Sequence, residues 1–351
     1  MVEMEQKTEH ILKKKGYLKG HGGWVTSLAL GEEERDGEKV EFLISGSRDK
    51  TLIKWNLDDK NNNDEEDREW GRPARMYTGH SHFINEICLH PNGQHRLSAS
   101  WDGTVRLWDL KSGKTVRKLL GHTRDVLSVA LSPNPQMPQI LTGGRDNEVK
   151  IWNTSGLCKH TVDKNAHTDA VSCVRFYHDI KSPVCVTASW DKTIKVWDNM
   201  YMKLMHTFMG HKAQINSIDM VNNSTYLASG SHDGQVMIWD VIQGKWLTSY
   251  EYDSPINCVL FSQKLYWVII GTEEGIKVFD LPSSRNIQEI KETSMLPNER
   301  AAQETAGAGG KVKAPKYISC TSLAWNNADD KLYAGFSDHC IRVYQIDEIT
   351  N

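Results

Sequence analysis

Residues 43–55 read LISGSRDKTLIKW, and residues 97–110 read LSASWDGTVRLWDL. In each stretch two short β-rich runs flank a tight turn, which is the signal of a β-hairpin. The turn carries an Asp (Asp49, Asp102), whose carboxylate suits it by accepting backbone N–H bonds. A Trp follows six residues later (Trp55, Trp108). The same spacing returns at Asp146 and Trp152, Asp191 and Trp197, and Asp233 and Trp239. Upstream of each Trp by 28 to 34 residues stands a His, preceded by Gly at His21, His80, His122 and His211 and by Ala at His167.

Five copies of one three-point pattern define a repeat of the WD type, with four strands per unit. Two further units are degenerate. Residues 271–280 (GTEEGIKVFD) put Glu274 and Phe279 at the Asp and Trp places, and residues 335–344 (GFSDHCIRVY) put Asp338 and Tyr344 there. The sequence therefore predicts an all-β chain, a seven-bladed WD40 β-propeller with four antiparallel strands per blade. It forms one domain over residues 1–351. The blades fall at about 20–72, 73–118, 119–163, 164–208, 209–250, 251–291 and 317–346, with a flexible insertion at 292–316. A closed ring leaves no exposed edge, so a strand from residues 10–19 is expected to pair with the last blade.

Within a blade the Asp is expected to bond the His, the His a Ser or Thr (Ser45 in the first unit), and that hydroxyl the Trp indole. Such a network is stable when every member is satisfied. Five His–Asp–hydroxyl sets resemble hydrolase triads, but they recur once per blade and each ends on a Trp, so they are read as architecture. The sequence assigns no catalytic residue, no metal site and no cofactor.

What differs between blades points to function. His and Asp must meet, so the Gly-His loops and Asp turns share one end of the ring, called the top here. Arg48, Lys50, Arg75, Arg117, Lys118, Arg124 and Arg145 cluster around these features in the early blades and predict a phosphate-binding patch with salt-dependent affinity. Residues just before the turn Asp should rim the central channel. They include Arg48, Trp101, Arg145, Trp190 and His232, and Trp and Arg are the residue types of interface anchors, so Trp101, Trp190 and His232 predict a protein-partner face. A second basic series, Arg106, Lys150, Lys195, Lys277 and Arg342, keeps step with the blade and is read as architectural, with stems packed and heads in water. Residues 31–41 (GEEERDGEKVE) and 59–69 (DKNNNDEEDRE) are expected to be solvated acidic loops on the opposite end. The segment 301–316 (AAQETAGAGGKVKAPK) is expected to be flexible and to emerge at the top.

Composition sets limits. The formal net charge of −3 argues against a generally basic nucleic-acid coat but allows a local patch. Seven Cys include no C-x-x-C pair, which predicts reduced thiols and an intracellular address. No signal core or membrane-length apolar run is present, and the mean hydropathy is −0.53, so the expected location is the cytoplasm.

Several phrases are more specific than the repeat. HGGWVTSLAL, LISGSRDKTLIKW, TGHSHFINEICL, SASWDGTVRLWDL, GHTRDVLSVALS, IWNTSGLCKHTV, AVSCVRF and CTSLAW resemble the receptor for activated C kinase family, also described as guanine-nucleotide-binding-protein β-subunit-like. The resemblance runs from about residue 18 to residue 345. It implies a non-catalytic scaffold docked on the small (40S) ribosomal subunit, contacting rRNA and ribosomal proteins and recruiting signalling proteins such as protein kinase C. In that family the Arg-Asp-Lys turn of the first blade touches rRNA and matches Arg48 and Lys50. Arg75, Arg117, Lys118 and Arg124 match further basic positions of the ribosome-facing side. The sequence departs from the pattern in its first-blade insertions (31–41 and 59–72), in Thr78 where a basic residue is common, and in the drawn-out segment before the last blade.

The alternative is a ribosome-independent signalling adaptor of the G-protein β type. A true G-protein β subunit needs a long N-terminal helix, and only about twenty residues without a heptad pattern precede the first Gly-His. A propeller enzyme would need a carboxylate or metal cluster converging on the channel, and none is recognisable in the sequence.

Overall fold

The structure is a computed structural model that describes residues 8–35, 37–57, 68–90, 93–132, 138–177, 184–221, 224–295 and 317–350. Seven sheets, antiparallel apart from one short parallel strand in the last, follow one another around a central bore, and no helix occurs among the described residues. Blade one is built from strands Val25–Arg35, Glu38–Ser47, Leu52–Leu57 and Gly71–Tyr77, in that spatial order. Blades two to six repeat the order within residues 84–120, 126–161, 171–209, 215–251 and 256–291. Blade seven takes three strands from residues 320–350 and a fourth from Thr8–Lys19, which pairs antiparallel with Cys340–Thr350. The ring thus closes by joining the two ends of the chain, as the edge argument requires.

Two sequence boundaries move. The strand Gly71–Tyr77 pairs with Leu52–Leu57, so blade one extends past residue 72 to Tyr77. Likewise Thr115–Leu120 pairs with Thr104–Asp109, so blade two extends past residue 118. The Gly-His that opens a sequence repeat begins a new blade in space, and the outer strand before it belongs to the previous one.

The first-blade acidic segment is also different from expectation. Residues 31–41 continue the first two strands as a paired hairpin, Glu32 opposite Glu41 and Glu33 opposite Val40. Its charges are held. Glu33 pairs with Lys54 and Arg35, and Glu32 accepts from Asn327 Nδ2 at 2.7 Å. Burial alone would raise the Glu33 pKa, but Lys54 and Arg35 outweigh it and lower it. Of the second acidic segment only Arg68 and Glu69 are described. They form a short strand parallel to Gly16–Tyr17, a fifth member of blade seven. The expected flexibility of 59–67 and 296–316 lies outside the described residues.

Blades pack face to face through β-branched and aromatic side chains. Between blades four and five, for example, Val184, Val186, Ile194 and Val196 meet Ile215 and Ile218. Each inner strand also begins with a register shift at the same place, between Val25 and Ser27, Ile84 and Glu86, and so on around the ring. A bulge re-aims a side chain. Here six of the seven bulged residues bond the next blade's backbone: Thr26, Asn85, Ser172, Asn216, Asn257 and Thr321 donate to Ile84, Leu127, Ile215, Ile256, Cys320 and Val25.

Candidate functional site

The repeated polar residues are used up inside the blades. In blade one, His21 Nδ1 lies 2.7 Å from Asp49 Oδ2, His21 Nε2 lies 2.7 Å from Ser45 Oγ, and Trp55 Nε1 donates to Ser45 Oγ at 2.8 Å. The same contacts join His80, Asp102, Ser98 and Trp108 in blade two; His122, Asp146, Thr142 and Trp152 in blade three; His167, Asp191, Thr187 and Trp197 in blade four; and His211, Asp233, Ser229 and Trp239 in blade five. Every hydroxyl in these sets is fully buried, so no substrate can reach one as a nucleophile. Burial alone would raise the pKa of Asp49, Asp102 and Asp191. Bonds from the His, from a Thr hydroxyl and from a backbone amide outweigh it and hold these carboxyls well below the ordinary range. His122, Asp146 and Glu148 also lie close enough to hold a metal ion. Both nitrogens of His122 are already committed, to Thr142 and Asp146, and Glu148 pairs with Lys150, so the donor set does not fit one.

Blades six and seven replace the network. Blade six puts Ile270 and Phe279, both buried, at the hydroxyl and Trp positions. In blade seven Arg342 is fully buried and bonds Asp338 through Nη1 (3.1 Å) and Nη2 (2.9 Å). Arg342 Nε lies 3.0 Å from Glu292 Oε2, and the Tyr344 hydroxyl donates to Glu292 at 2.9 Å. The expectation that the basic series keeps its heads in water therefore fails for Arg342. It also fails for Lys150, which is buried and reaches Glu148 and Thr161. Each finds partners that offset its desolvation, Lys150 within its own blade and Arg342 partly in the segment that follows blade six.

The basic residues of the early blades divide between the two ends of the ring. Arg48, Lys50, Arg124 and Arg145 stand on the top turns and loops. Lys50 takes a left-handed conformation (φ 73°), as Lys192 does at the same place in blade four (φ 71°), a position that costs a side-chain-bearing residue about 1 kcal/mol. Lys50 and Arg124 are exposed. Arg75 and Arg117 lie elsewhere. Each sits on an outer strand and leans to the opposite end of the next blade. Arg75 Nη1 donates to Lys111 O at 2.5 Å, and Arg117 Cγ packs over Gly156. Lys118 follows on that exposed outer strand. The seven residues therefore do not form one surface: four stand on the top turns and loops, and Arg75, Arg117 and Lys118 lie on outer strands.

The rim residues do come together. Arg48 lies over the Trp24 ring at 3.9 Å and faces Phe83 at 5.7 Å. Phe83 meets Trp101 at 5.4 Å, and His82 stacks on Trp101 at 5.6 Å. Arg145 lies 5.0 Å from both the Trp101 and the Trp190 rings and pairs with Asp125 at 3.0 Å. His232 is exposed on the same rim of the bore in blade five. Trp24, His82 and Phe83 were not singled out from the sequence. The available signal was their place, at or just before the start of an inner strand, on the same end as the turn Asp.

Below the rim the bore has a volume of about 850 Å³. It contains a charge cluster that sequence reading did not find. Arg175 pairs with Glu86 at 2.7 Å, Glu86 also accepts from Ser128 Oγ and from Val129 N, and Asp219 accepts from Phe261 N at 2.8 Å. Burial raises the Asp219 pKa to about 6. Burial likewise pushes the neighbouring Cys88 and Cys173 thiols up to about 11, which keeps them from acting as thiolates.

A family model described as "WD domain, G-beta repeat" matches residues 12–56, 71–109, 113–153, 156–198 and 202–240. The chain is 39% identical to the small ribosomal subunit protein RACK1 of Drosophila melanogaster over 95% of its length and 97% of the relative's. The chain belongs to the RACK1 family of WD-repeat propellers. It is also 38% identical to cross-pathway control WD-repeat protein 2 of Flammulina velutipes, over 94% of this chain and 96% of that one. To MST50-interacting protein 11 of Pyricularia oryzae it is 39% identical, over 95% and 96%. The family-like phrases of the sequence run along top loops, inner strands and third strands, and residues 151–162 reach the outer strand of blade three. No helix of the structure is long and apolar enough to cross a membrane.

Proposed function

We propose that this chain is a non-catalytic, cytoplasmic scaffold bound to the small ribosomal subunit, contacting rRNA and ribosomal proteins and recruiting signalling proteins such as protein kinase C. The observation that carries the reading is the first-blade turn. Lys50 is exposed on the top turn of blade one beside Arg48, which lies over Trp24, Arg124 is exposed on the top loop of blade three, and none of the three forms an ion pair among the described residues. A relative similar over nearly the whole chain is named a small ribosomal subunit protein. The rRNA contact is assigned to Arg48, Lys50 and Arg124; Arg75, Arg117 and Lys118 are available to a ribosomal protein reaching around the outer strands. Arg145, already paired with Asp125, contributes less. Trp101, Trp190 and His232 belong to the face that receives protein partners.

The test is co-sedimentation of the full chain with small subunits at moderate salt. Arg48→Asp combined with Lys50→Glu abolishes it while costing no more than about 1–2 kcal/mol of folding stability, because Lys50 is exposed and the half-buried Arg48 gives up its stacking on Trp24 but no ion pair. A double variant that still co-migrates overturns the rRNA assignment.

A further inference from the structure

In blades one to six the inner strand begins on a β-branched residue: Val25, Ile84, Val126, Val171, Ile215 and Ile256. In blade seven that place holds Cys320. Two residues on, past the bulge, blades one, three, five and seven carry Ser27, Ser128, Ser217 and Ser322, whereas blade six carries Cys258. Both departures meet at one seam. Between blades seven and one, Gly335 lies under Ser322 Oγ and Val25 Cγ1. Between blades six and seven the matching glycine is Gly271, opposite Cys258 in the sheet, and Cys258 Sγ and Cys320 Sγ crowd the space that a Cβ would take there. The two thiols are in hydrogen-bonding contact. Asn257 Nδ2 donates to Cys320 O at 3.0 Å, which ties the two backbones at the same level.

We propose that Cys258 and Cys320 form a redox-modification site, a dithiol that a peroxide converts into a disulfide joining blade six to blade seven. Cys258 lines the bore and is half-buried, whereas Cys320 is fully buried behind it. Burial and the neighbouring thiol push the Cys320 thiol well above its ordinary value. Cys258 therefore meets the oxidant, and Cys320 resolves the product. The Cys258 sulfur attacks one peroxide oxygen. The S–O bond forms, the O–O bond breaks, and the Cys258 proton leaves with the departing oxygen, as water in the case of hydrogen peroxide. The Cys320 sulfur then attacks the Cys258 sulfur. The S–S bond forms, the S–O bond breaks, and hydroxide leaves with the Cys320 proton as water. Two electrons have passed from the thiols to the peroxide, and a dithiol reductant reverses the change by exchange.

The position gives the bond a consequence. Blade seven is held at its outer edge by Thr8–Lys19, paired with Cys340–Thr350. The disulfide holds the same blade at its inner strand and closes a long loop in the unfolded chain, so oxidation slows the opening of the ring. Blade four supplies an internal control. Cys173 stands at the Cys258 place, but the residue across its seam is Ile215 rather than a cysteine.

The experiment uses the full chain with Cys158→Ser, which removes the exposed thiol. The chain is treated with hydrogen peroxide, its remaining thiols are alkylated, and a non-reducing digest is read by mass spectrometry. One cross-linked pair of peptides is expected, carrying Cys258 and Cys320 and lighter by about 2 Da than the reduced peptides together. Cys173 is alkylated, and dithiothreitol restores both thiols. In urea the oxidised chain unfolds at least about tenfold more slowly than the reduced chain. Cys258→Ser and Cys320→Val give the seam the residue types that other blades carry, and each removes both the cross-link and the difference in unfolding rate. Should either variant lower the melting temperature, the oxidised and reduced forms of the parent chain keep the comparison within one sequence. The proposal is overturned if Cys258 and Cys320 are both alkylated after peroxide, if either pairs with a different cysteine, if Cys258 proceeds to the sulfinic acid instead, or if the oxidised and reduced chains unfold at the same rate.

Discussion

In blade two, His80 joins Asp102 to Ser98, and Ser98 takes the Trp108 indole. In blade seven the same space holds Arg342, bonded to Asp338 and Glu292, with Tyr344 on Glu292. Both arrangements pin the turn Asp and fill the blade interior, yet one holds it with a His, a hydroxyl and an indole and the other with a buried arginine and a second carboxylate. Blade six, with Ile270 and Phe279, does without either. The ring therefore needs each blade interior filled and satisfied but does not need the His. A feature that can be replaced in two blades of seven without loss of the fold is architectural, which turns attention to the residues that have no counterpart around the ring.

The largest effect is expected where the comparison is most unequal. Arg342→Ala leaves Asp338 buried without its cation, with Glu292 left its 3.5 Å pair to Lys14, and should cost about 3–5 kcal/mol. Urea unfolding of the variant measures it, and a loss below about 1 kcal/mol would mean that the cluster is not a counterpart of the blade-two network.

His80→Ala should cost less, about 1–3 kcal/mol, because it strands one carboxylate and one hydroxyl. It should also change the acid limb of stability. The Asp102 carboxyl is depressed in the folded chain, so its contribution is full above the unfolded value near 4 and is lost as pH falls toward the lower folded value. Removing the His partner should shrink the wild-type excess below about pH 4. An unchanged acid limb would show that His80 does not hold Asp102 ionised.

The smallest effect concerns the bore. Asp219 is raised to about 6, so ionising it in the folded chain opposes stability as pH climbs from about 4 through 6. Asp219→Asn keeps an acceptor for Phe261 N and removes that cost. It should be more stable than wild type by about 1–2 kcal/mol at pH 8 and equal to it at pH 4. Thermal melts at the two pH values decide it, and equal melts at pH 8 sink the claim.

The repeat was legible because its residues serve local geometry. A turn Asp, a Gly-His loop and a Trp at fixed spacing each act within one blade, so their period appears in the chain. The bulge residues Thr26, Asn85, Ser172, Asn216, Asn257 and Thr321 are periodic too, but Leu127 interrupts the series and the side chains differ, which hid them. Glu86, Arg175 and Asp219 were illegible for another reason. They lie on inner strands of blades two, four and five, and only ring closure brings them to one bore. Arg75 and Arg117 misled because a residue a few positions before a Gly-His is near the top in sequence, while its side chain follows the outer strand to the other end.

By itself the sequence determined the seven-bladed ring, the His, Asp and Trp of the five blade networks and the strand that closes it, because these follow from hydrogen bonding and side-chain alternation within each hairpin. Only the tertiary structure decided which charges share a surface. It set Arg48 on Trp24 without an acceptor and gave Arg145 to Asp125. It also joined Arg175 to Glu86 and drew Arg342 into the core. Those contacts depend on the orientation of side chains between blades, which no period in the chain encodes.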